Sequence, residues 1–126
     1  MIEIYVLLSY IIIMKIIKED PWLNQLKKGT FELTVLMILK KEDSYGYEIV
    51  KKINELPFFS ISQAAIYPIL KRLLEYKLIN FYTQEMEGKP SRKYYSLTKE
   101  GELLLFQRLS DYKKMYDGIL TLEKEL

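Results

Sequence analysis

Residues 60–74, SISQAAIYPILKRLL, constrain the fold most, because they combine a helix cap with an apolar stripe at helical spacing. If Ser62 caps a helix, the apolar residues recur every three or four positions along one side: Ile66, Ile69, Leu70, Leu73 and Leu74. The opposite side then carries the polar and basic residues Gln63, Tyr67, Lys71 and Arg72. Such a helix buries one side in a core and presents a basic side outward.

Two features near the start of this helix bear on what its basic side contacts. Ala64 and Ala65 are small enough to let the helix N-terminus press against another surface, where its free N–H groups favour an anion such as phosphate. Pro68 weakens the prediction, because a proline inside a helix removes a hydrogen bond and kinks the helix or shifts its start to Tyr67. Taken alone, the stretch also fits a surface helix with a solvated basic side.

Composition excludes several classes of protein. At 126 residues the chain is long enough for one domain with its own core and too short for two ordinary ones. With neither cysteine nor histidine, it lacks disulfides, thiolate nucleophiles, imidazole bases and Cys/His zinc sites. The acidic residues are dispersed and no glycine-rich phosphate loop occurs, so an enzyme is the least favoured class. We expect a cytoplasmic protein without a metal or a cofactor.

The charge is unevenly distributed, although the net charge is only +2. Residues 60–99 contain seven basic and three acidic side chains, whereas the rest of the chain contains twelve basic and fourteen acidic ones. Two of the three arginines, Arg72 and Arg92, lie in this basic stretch, and the planar fork of arginine suits phosphates and guanine edges. The stretch therefore favours contact with nucleic acid.

Two further helices are predicted before the basic stretch. Gly29-Thr30 opens a run from Phe31 to Lys41 so densely apolar that no solvent side remains, which predicts cover by its own domain and by another subunit. Ser44 is the predicted cap of a second helix, from Tyr45 to Glu55. The inner side of that helix carries Tyr45, Ile49, Ile53 and Leu56. A tight link then leads into residues 60–74, so the two short helices form a helix-turn-helix.

A β-hairpin is predicted after the helix pair. Two β-rich runs, residues 78–84 and 92–97, flank a turn segment that contains Gly88. The basic residues of this segment and of the second strand are Lys89, Arg92 and Lys93. A basic hairpin behind a helix-turn-helix is a wing, although such a tip by itself fits a soluble turn equally well. Tyr94 and Tyr95 alternate sides, so we expect at least one of them in the core.

The chain closes with a long helix that Thr98 caps. Its apolar positions step by four, three, four and three residues, the spacing of a seam for another helix: Leu105, Leu109, Tyr112, Tyr116 and Ile119. A single domain of this size has little left to cover such a seam. We therefore predict a homodimer interface there, to which the apolar helix adds Leu36.

Residues 1–14, MIEIYVLLSYIIIM, form a separate apolar run. The uncharged part, Ile4 to Met14, has 11 residues, well short of the roughly 20 that a membrane-spanning helix needs. We predict no membrane association, and Glu3 at the start argues against a secretory signal. Two interpretations stay open: an extra helix that packs on the domain or on a partner subunit, and an upstream extension before a start at Met14. Pro21 is expected to break any helix that runs through from the start.

Four motifs, in this order, resemble the PadR-like transcriptional regulators, and the match runs from about Gly29 to Gly101. They are Gly29-Thr30-Phe31-Glu32-Leu33, Tyr45-Gly46-Tyr47-Glu48-Ile49, Ile66-Tyr67-Pro68-Ile69-Leu70-Lys71-Arg72-Leu73 and Arg92-Lys93-Tyr94-Tyr95-Ser96-Leu97-Thr98-Lys99-Glu100-Gly101. The family carries a proline in its third helix, so the resemblance implies that Pro68 lies in a continuous helix. One helix after the wing is similar to the short subfamily with a single C-terminal dimerisation helix.

Three positions depart from the family's pattern. Ala64-Ala65 replaces a common Gly-Thr, so a hydroxyl contact to phosphate is lost. Lys77 stands where family members usually carry glycine before the first wing strand; if the backbone there is left-handed, lysine costs about 1 kcal/mol. Tyr45 replaces a histidine often found ahead of Gly46.

The residues and the resemblance predict a mainly α fold with a small β-hairpin (α+β). It consists of an N-terminal extension and lead-in segment (1–28), a winged helix-turn-helix domain (29–98) and a C-terminal dimerisation helix (99–126). The predicted function is a sequence-specific DNA-binding transcriptional regulator, a repressor that binds its operator as a homodimer. The residues predicted to contact double-stranded DNA are Ser62, Gln63, Ala64, Tyr67, Lys71, Arg72, Lys89, Arg92 and Lys93. The alternative is a winged-helix module that binds only protein.

The resemblance also implies a small-molecule site, because some short members accept flat aromatic or drug-like compounds between their terminal helices. The aromatic residues suited to stacking such an effector are Trp22, Tyr112 and Tyr116. Two alternatives stay open: these side chains are ordinary interface core, or residues 1–13 fill the same space as an extra interface helix.

Overall fold

Five α-helices and a three-stranded antiparallel sheet make up the part of the chain that the computed structural model describes, residues 1–19 and 21–126; side chains are described for residues 1–13 and 21–126. The helices are α1 (Ile2–Glu19), α2 (Pro21–Lys41), α3 (Gly46–Asn54), α4 (Gln63–Glu75) and α5 (Lys99–Glu123), and the strands are β1 (Ser44–Tyr45), β2 (Ile79–Met86) and β3 (Lys89–Leu97). This architecture confirms the predicted α+β class. The chain divides into two compact units, Met1–Thr30 and Phe31–Leu126.

The first unit holds α1 and the start of α2. Helix α2 begins at Pro21, whose missing N–H costs nothing at the first position of a helix. The predicted helix start at Gly29 is wrong, because Gly29 lies inside α2. Residues 22–28 contain no helix breaker, and a single glycine destabilises a helix by only about 1 kcal/mol. The side chains of residues 1–13 are exposed. None of the described helices combines the length and the apolarity needed to cross a bilayer.

The core of the second unit forms where its helices meet the sheet. Its buried apolar side chains are Val35, Leu36, Leu39, Ile49, Val50, Ile53, Ile61, Ile66, Leu70, Leu73, Leu78, Ile79, Tyr95 and Leu105. In helix α2, Val35 and Leu36 are both 0% exposed, whereas Met37 is exposed. The prediction that α2 has no solvent-facing side is therefore wrong at Met37.

Helix α3 begins differently from the prediction. Ser44 is not its cap: it is buried in β1, where it pairs with Tyr95 of β3. The cap position belongs to Tyr45, whose backbone N–H donates to Glu48 Oε1 at 3.3 Å. A two-residue strand has no periodicity of its own, so the sequence pattern cannot separate β1 from a helix cap.

The turn from α3 to α4 is closed by the side chain of Asn54, the last residue of α3. Its Nδ2 donates to the carbonyl oxygen of Ile61 at 3.1 Å, and its Oδ1 accepts the N–H of Ile61 at 2.8 Å. Helix α3 therefore ends two residues before Leu56. The prediction that Leu56 lies on the inner side of the helix is wrong, since its side chain is exposed.

Helix α4 begins behind the predicted cap and continues through Pro68, as the resemblance implies. Ser62 Oγ accepts the N–H of Ala65 at 3.1 Å, which caps the helix. The helix runs through Pro68 without a break, and its apolar side lies in the core. Lys77 follows with a φ of 59°, the left-handed conformation that the glycine of related proteins suggests.

The sheet has the strand order β1-β3-β2. Strands β2 and β3 pair antiparallel and join at the turn Glu87-Gly88, where Gly88 has a φ of 69°. The predicted hairpin is confirmed, with longer strands and a shorter turn, and β1 adds a third strand that the sequence does not predict. Helix α5 begins behind Thr98, whose Oγ1 accepts the N–H of Gly101 at 3.0 Å, so the predicted cap is confirmed.

Candidate nucleic-acid interface

The outward side of α4 carries most of the residues predicted to read DNA. Gln63, Ala64, Tyr67 and Lys71 are exposed there, directly behind the cap Ser62. At 100° per residue the four helical positions span about 100° of the helix circumference. The structure therefore brings these residues onto one surface beside the helix N-terminus.

Tyr67 lies against the first turn of α3. A Cβ atom added at Gly46 would be 3.4 Å from Tyr67 Oη, so the glycine leaves room for the phenol ring. A shallow cleft of about 200 Å³ opens at this place, and both helices and the wing line it: Tyr45, Gly46, Tyr47, Tyr67, Arg92, Lys93 and Tyr95. The outward side of α4 and the wing therefore share one continuous surface.

The basic residues of the wing occupy both faces of the hairpin. Lys89 begins β3 at the turn and is exposed. The guanidinium carbon of Arg92 lies 4.6 Å from the centre of the Tyr45 ring, and Lys93 Nζ lies 3.9 Å from the centre of the Phe81 ring. Adjacent residues of a strand point to opposite faces. The rings hold each cation in place, at about 0.5–1 kcal/mol for such a contact at an exposed site.

A row of tyrosine rings that the sequence pattern does not predict crosses the sheet. Tyr47 stacks on Tyr45 at 6.2 Å between ring centres, Tyr45 meets Tyr94 edge-on at 5.5 Å, and Tyr94 stacks on Tyr82 at 5.7 Å. At the far end the Tyr82 hydroxyl donates to Asp43 Oδ2 at 2.8 Å, and this bond raises the pKa of Tyr82 above 10. Alternation along β3 was the available signal, but it could not show which rings lie opposite. The row ties the wing to the start of α3.

Tyr95 lies on the other face of β3, in the core, so the expectation that Tyr94 or Tyr95 is buried is confirmed. Its neighbour across the hairpin is Phe81 of β2. Burial raises the pKa of Tyr95 above 10, and the nearby Tyr67 adds to this effect.

Arg72 does not share the surface of Tyr67. It follows five residues later, about 140° around the helix axis, and its Nε donates to Glu32 Oε1 of α2. Glu32 Oε2 also accepts from Arg108 Nη1 of α5, at 3.2 Å. The predicted contact of Arg72 with DNA stays a prediction: its Nε is held by Glu32, and about half of its side chain is still exposed. The helical periodicity predicts that Arg72 faces outward, but it cannot predict an ion pair with a residue of another helix.

The family described as "Transcriptional regulator PadR-like family" matches residues 35–107, more than half of the chain. This chain belongs to the PadR-like family. Among solved structures it is similar to a PadR-like transcriptional regulator from Bacillus cereus, with 33% identity and a TM-score of 0.70 over 78% of this chain and 95% of that one. It also matches Bacillus subtilis PadR in complex with operator DNA, with 32% identity and a TM-score of 0.58 over 62% of this chain and 45% of that one.

A curated relative is the "Transcriptional regulator YqjI" of Escherichia coli, which is 39% identical over 75 residues. The match covers 58% of this chain and 34% of that protein. The similarity therefore covers about a third of the relative's length, and the fold resemblance to PadR-like structures extends over more of the present chain.

The residues predicted for a dimer interface of this PadR-like chain fall into two groups. Leu36 and Leu105 are 0% and 3% exposed, so they are corrected from interface to core residues of their own unit. Leu109 is half-buried, and the positions after it are exposed: Tyr112, Tyr116 and Ile119. Four further apolar side chains of α5, which the sequence pattern does not single out, are exposed as well: Leu103, Phe106, Met115 and Leu122.

The aromatic residues predicted for an effector site belong to different units. Trp22 is an exposed side chain of the first unit. Tyr112 and Tyr116 stack on each other in the second unit, with ring centres 6.5 Å apart and planes within 2° of parallel. Both rings are partly exposed on α5.

Proposed function

We propose that this PadR-like chain is a repressor that binds an operator as a homodimer. The observation that carries the proposal is the exposed Gln63, Tyr67 and Lys71 side of a capped helix, continuous with a basic wing. The similarity to Bacillus subtilis PadR, whose structure contains operator DNA, supports the same partner for this chain.

Helix α4 is the proposed reader of the major groove. Gln63 and Tyr67 lie towards its N-terminus, where a recognition helix contacts base edges, and an amide side chain suits adenine. Lys71 lies about one turn after Tyr67 and about two turns after Gln63, and it supplies a positive charge for a phosphate. Ser62 and Ala64 flank the free N–H groups of the helix start, which also favour phosphate. We leave Arg72 out of this set because Glu32 holds its guanidinium.

The wing is proposed to contact the DNA backbone in or beside the minor groove. Lys89, Arg92 and Lys93 supply three positive charges in one hairpin. Contacts of this kind add affinity and fix the register without reading the sequence.

The proposal is tested by fluorescence anisotropy with the chain's own upstream region and with a random duplex, between about 50 and 200 mM salt. We expect Gln63→Ala to cost about 1 to 3 kcal/mol on the preferred site alone, since a base contact is lost. Lys71→Ala should weaken binding to both duplexes and flatten the salt slope by about one unit for each lost phosphate contact. Lys113→Ala, an equal charge change on α5, is the control.

The same titration separates the alternative function, a winged-helix module that binds only protein. A module that binds only protein has no specific site for duplex DNA. It would therefore show neither a preferred duplex nor a steep fall of DNA affinity with salt. Unchanged binding in all α4 variants would remove α4 as the reader.

Dimerisation is proposed through the second half of α5. The exposed apolar residues there are Tyr112, Met115, Tyr116, Ile119 and Leu122. At 100° per residue they fall within about 120° of the helix circumference, so they form one stripe that a second helix can cover. A two-fold axis through this stripe would present two α4 helices to successive major grooves of one operator.

A flat aromatic or drug-like effector is proposed to bind at this dimer interface and to release the operator. The parallel Tyr112 and Tyr116 rings support stacking of a planar compound. Trp22 is the only tryptophan, so its fluorescence follows the titration of planar cationic dyes. We expect saturable quenching that Tyr112→Ala weakens and a parallel loss of DNA affinity. Quenching without a change in DNA affinity would remove the regulatory role.

A further inference from the structure

One carboxylate joins three helices of the second unit. Glu32 belongs to α2, and its two oxygens accept hydrogen bonds from two different arginines. Arg72 reaches Oε1 from α4, and Arg108 reaches Oε2 from α5 at 3.2 Å. The carboxylate is only 19% exposed, whereas both arginines keep contact with water. A charge in such a position is screened less than one in an exposed ion pair, so its two bonds are directional ties between helices.

The contact between Arg108 and Glu32 holds α5 at a point well beyond the start of the helix. The start of α5 is already attached at Gly101, where an added Cβ would lie 2.0 Å from the carbonyl oxygen of Leu78. Arg108 follows seven residues later, about 10 Å along the helix axis. The buried Leu105 and the Lys40–Glu102 pair also hold α5 between these two points. The Glu32 contacts add a tie further along the helix, and this tie connects α5 to α4 through one carboxylate.

A small change in the direction of α5 has a large effect at its far end. From Arg108 to Glu123 the helix extends about 22 Å. A tilt of about 5° displaces that end by about 2 Å, more than half of the rise per base pair in B-DNA. The displaced part carries the exposed apolar stripe.

We propose that Glu32 is a positioning residue that sets the separation of the two recognition helices in the dimer. It holds α4 through Arg72 and α5 through Arg108, so the angle between reader and dimer stripe depends on it. This inference rests on the proposed DNA-binding dimer. Arg72 then acts through Glu32 and contributes to site choice without touching DNA.

The test compares operator spacings. The probe is the palindromic duplex that the wild-type chain enriches from a random library, together with versions that have one base pair added or removed at the centre. We expect wild type to bind the enriched spacing about tenfold more tightly than the altered ones. Glu32→Gln keeps the shape of the side chain and removes its charge, and we expect its spacing preference to fall below about twofold.

The matched control is Glu102→Gln. Glu102 Oε1 accepts from Lys40 Nζ at 2.7 Å, so this pair also joins α2 to α5 but leaves α4 out. We expect Glu102→Gln to keep the wild-type spacing preference. If Glu32→Gln does not fold, the test uses Arg108→Met, which removes only the contact between Glu32 and α5. We expect Arg108→Met to lose the spacing preference as well.

The outcomes are distinct. A wild-type preference that persists in a folded Glu32→Gln, or in Arg108→Met where Glu32→Gln does not fold, overturns the positioning role. Equal loss in Glu102→Gln also overturns it, because any α2–α5 contact would then suffice. If the wild-type chain enriches no duplex at all, the proposed DNA-binding function fails instead.

Discussion

At the scale of single residues, Lys77 shows a cost that the sequence already indicates. Its N–H donates to the carbonyl of Leu74, and the N–H of Leu78 donates to that of Leu73, both at 3.0 Å. These two bonds form the Schellman arrangement that ends α4, with lysine in the left-handed position that glycine usually takes.

We expect Lys77→Gly to raise the free energy of unfolding by about 1 kcal/mol, because glycine has no Cβ to strain in this conformation. The lysine side chain is exposed, so little contact is lost. Urea denaturation of the two proteins measures the difference. Glu75→Gly, inside the helical part of the same segment, should have the opposite sign.

Tyr95 is expected to lower the free energy of unfolding at alkaline pH. Burial raises its pKa in the folded chain above the usual value of 10. Between these two pKa values the unfolded chain has lost the proton and the folded chain keeps it, so stability falls as pH rises above about 10. Below that pH the contribution is fully present.

We expect Tyr95→Phe to lose less stability than wild type when urea denaturation is repeated from about pH 8 to about pH 11. Tyr76→Phe, at an exposed ring, is the control for removing a hydroxyl. Equal pH dependence of wild type and Tyr95→Phe would show that other groups cause the alkaline loss.

Single residues also mark where sequence reasoning ends. The cap Ser62 was predictable because it depends on the few residues around it. The left-handed Lys77 was anticipated only through the resemblance, because related proteins carry glycine at that position. The partner of Arg72 was not, since Glu32 lies forty positions earlier in the chain and only the packing of α2 against α4 brings them together. An outward position on a helix predicts that a side chain is exposed, but it does not predict which residue the side chain contacts.

At the scale of elements, the wing is the one whose charge can be removed with least damage. Glutamine at positions 89, 92 and 93 removes the three charges, and at positions 92 and 93 it keeps an aliphatic stem beside the Tyr45 and Phe81 rings. We expect this triple variant to lose affinity evenly on the preferred and the random duplex, with a salt slope reduced by about 0.9 for each phosphate contact. The control is a second triple glutamine variant with the same charge difference, at Lys113 and Lys114 of α5 and at Lys124 directly after it.

Anisotropy titration at low salt distinguishes the two possible results for the wing. An unchanged affinity of the triple variant would mean that the hairpin tip is a solvated turn. A loss confined to the preferred duplex would mean that the wing reads bases, which contradicts its proposed role on the backbone.

The elements differ in how far the sequence determines them. Helix α4 and the hairpin were predicted because cap, periodicity and Gly88 act locally. Strand β1 was missed because its two residues become a strand only by pairing with β3. The start of α2 was misplaced because a glycine motif suggested a boundary, whereas proline at the first helical position sets it.

At the scale of the whole molecule, the second half of α5 decides whether DNA binding is bivalent. Ile119 is 59% exposed and lies in the apolar stripe. Leu103 is 67% exposed on the same helix, about 160° away around its axis. The two positions therefore allow the same substitution to be made inside and outside the proposed interface.

We expect Ile119→Glu to give monomers in sedimentation velocity at micromolar concentration, because a charge buried between two helices is costly. Its operator affinity should fall by about a hundredfold or more, since each half-site then binds without the other. Leu103→Glu should stay dimeric and keep its affinity, because it lies outside the stripe. A monomeric wild type would contradict the interface. A dimeric Ile119→Glu would move it to another surface, and the separation of the recognition helices would then no longer depend on the direction of α5.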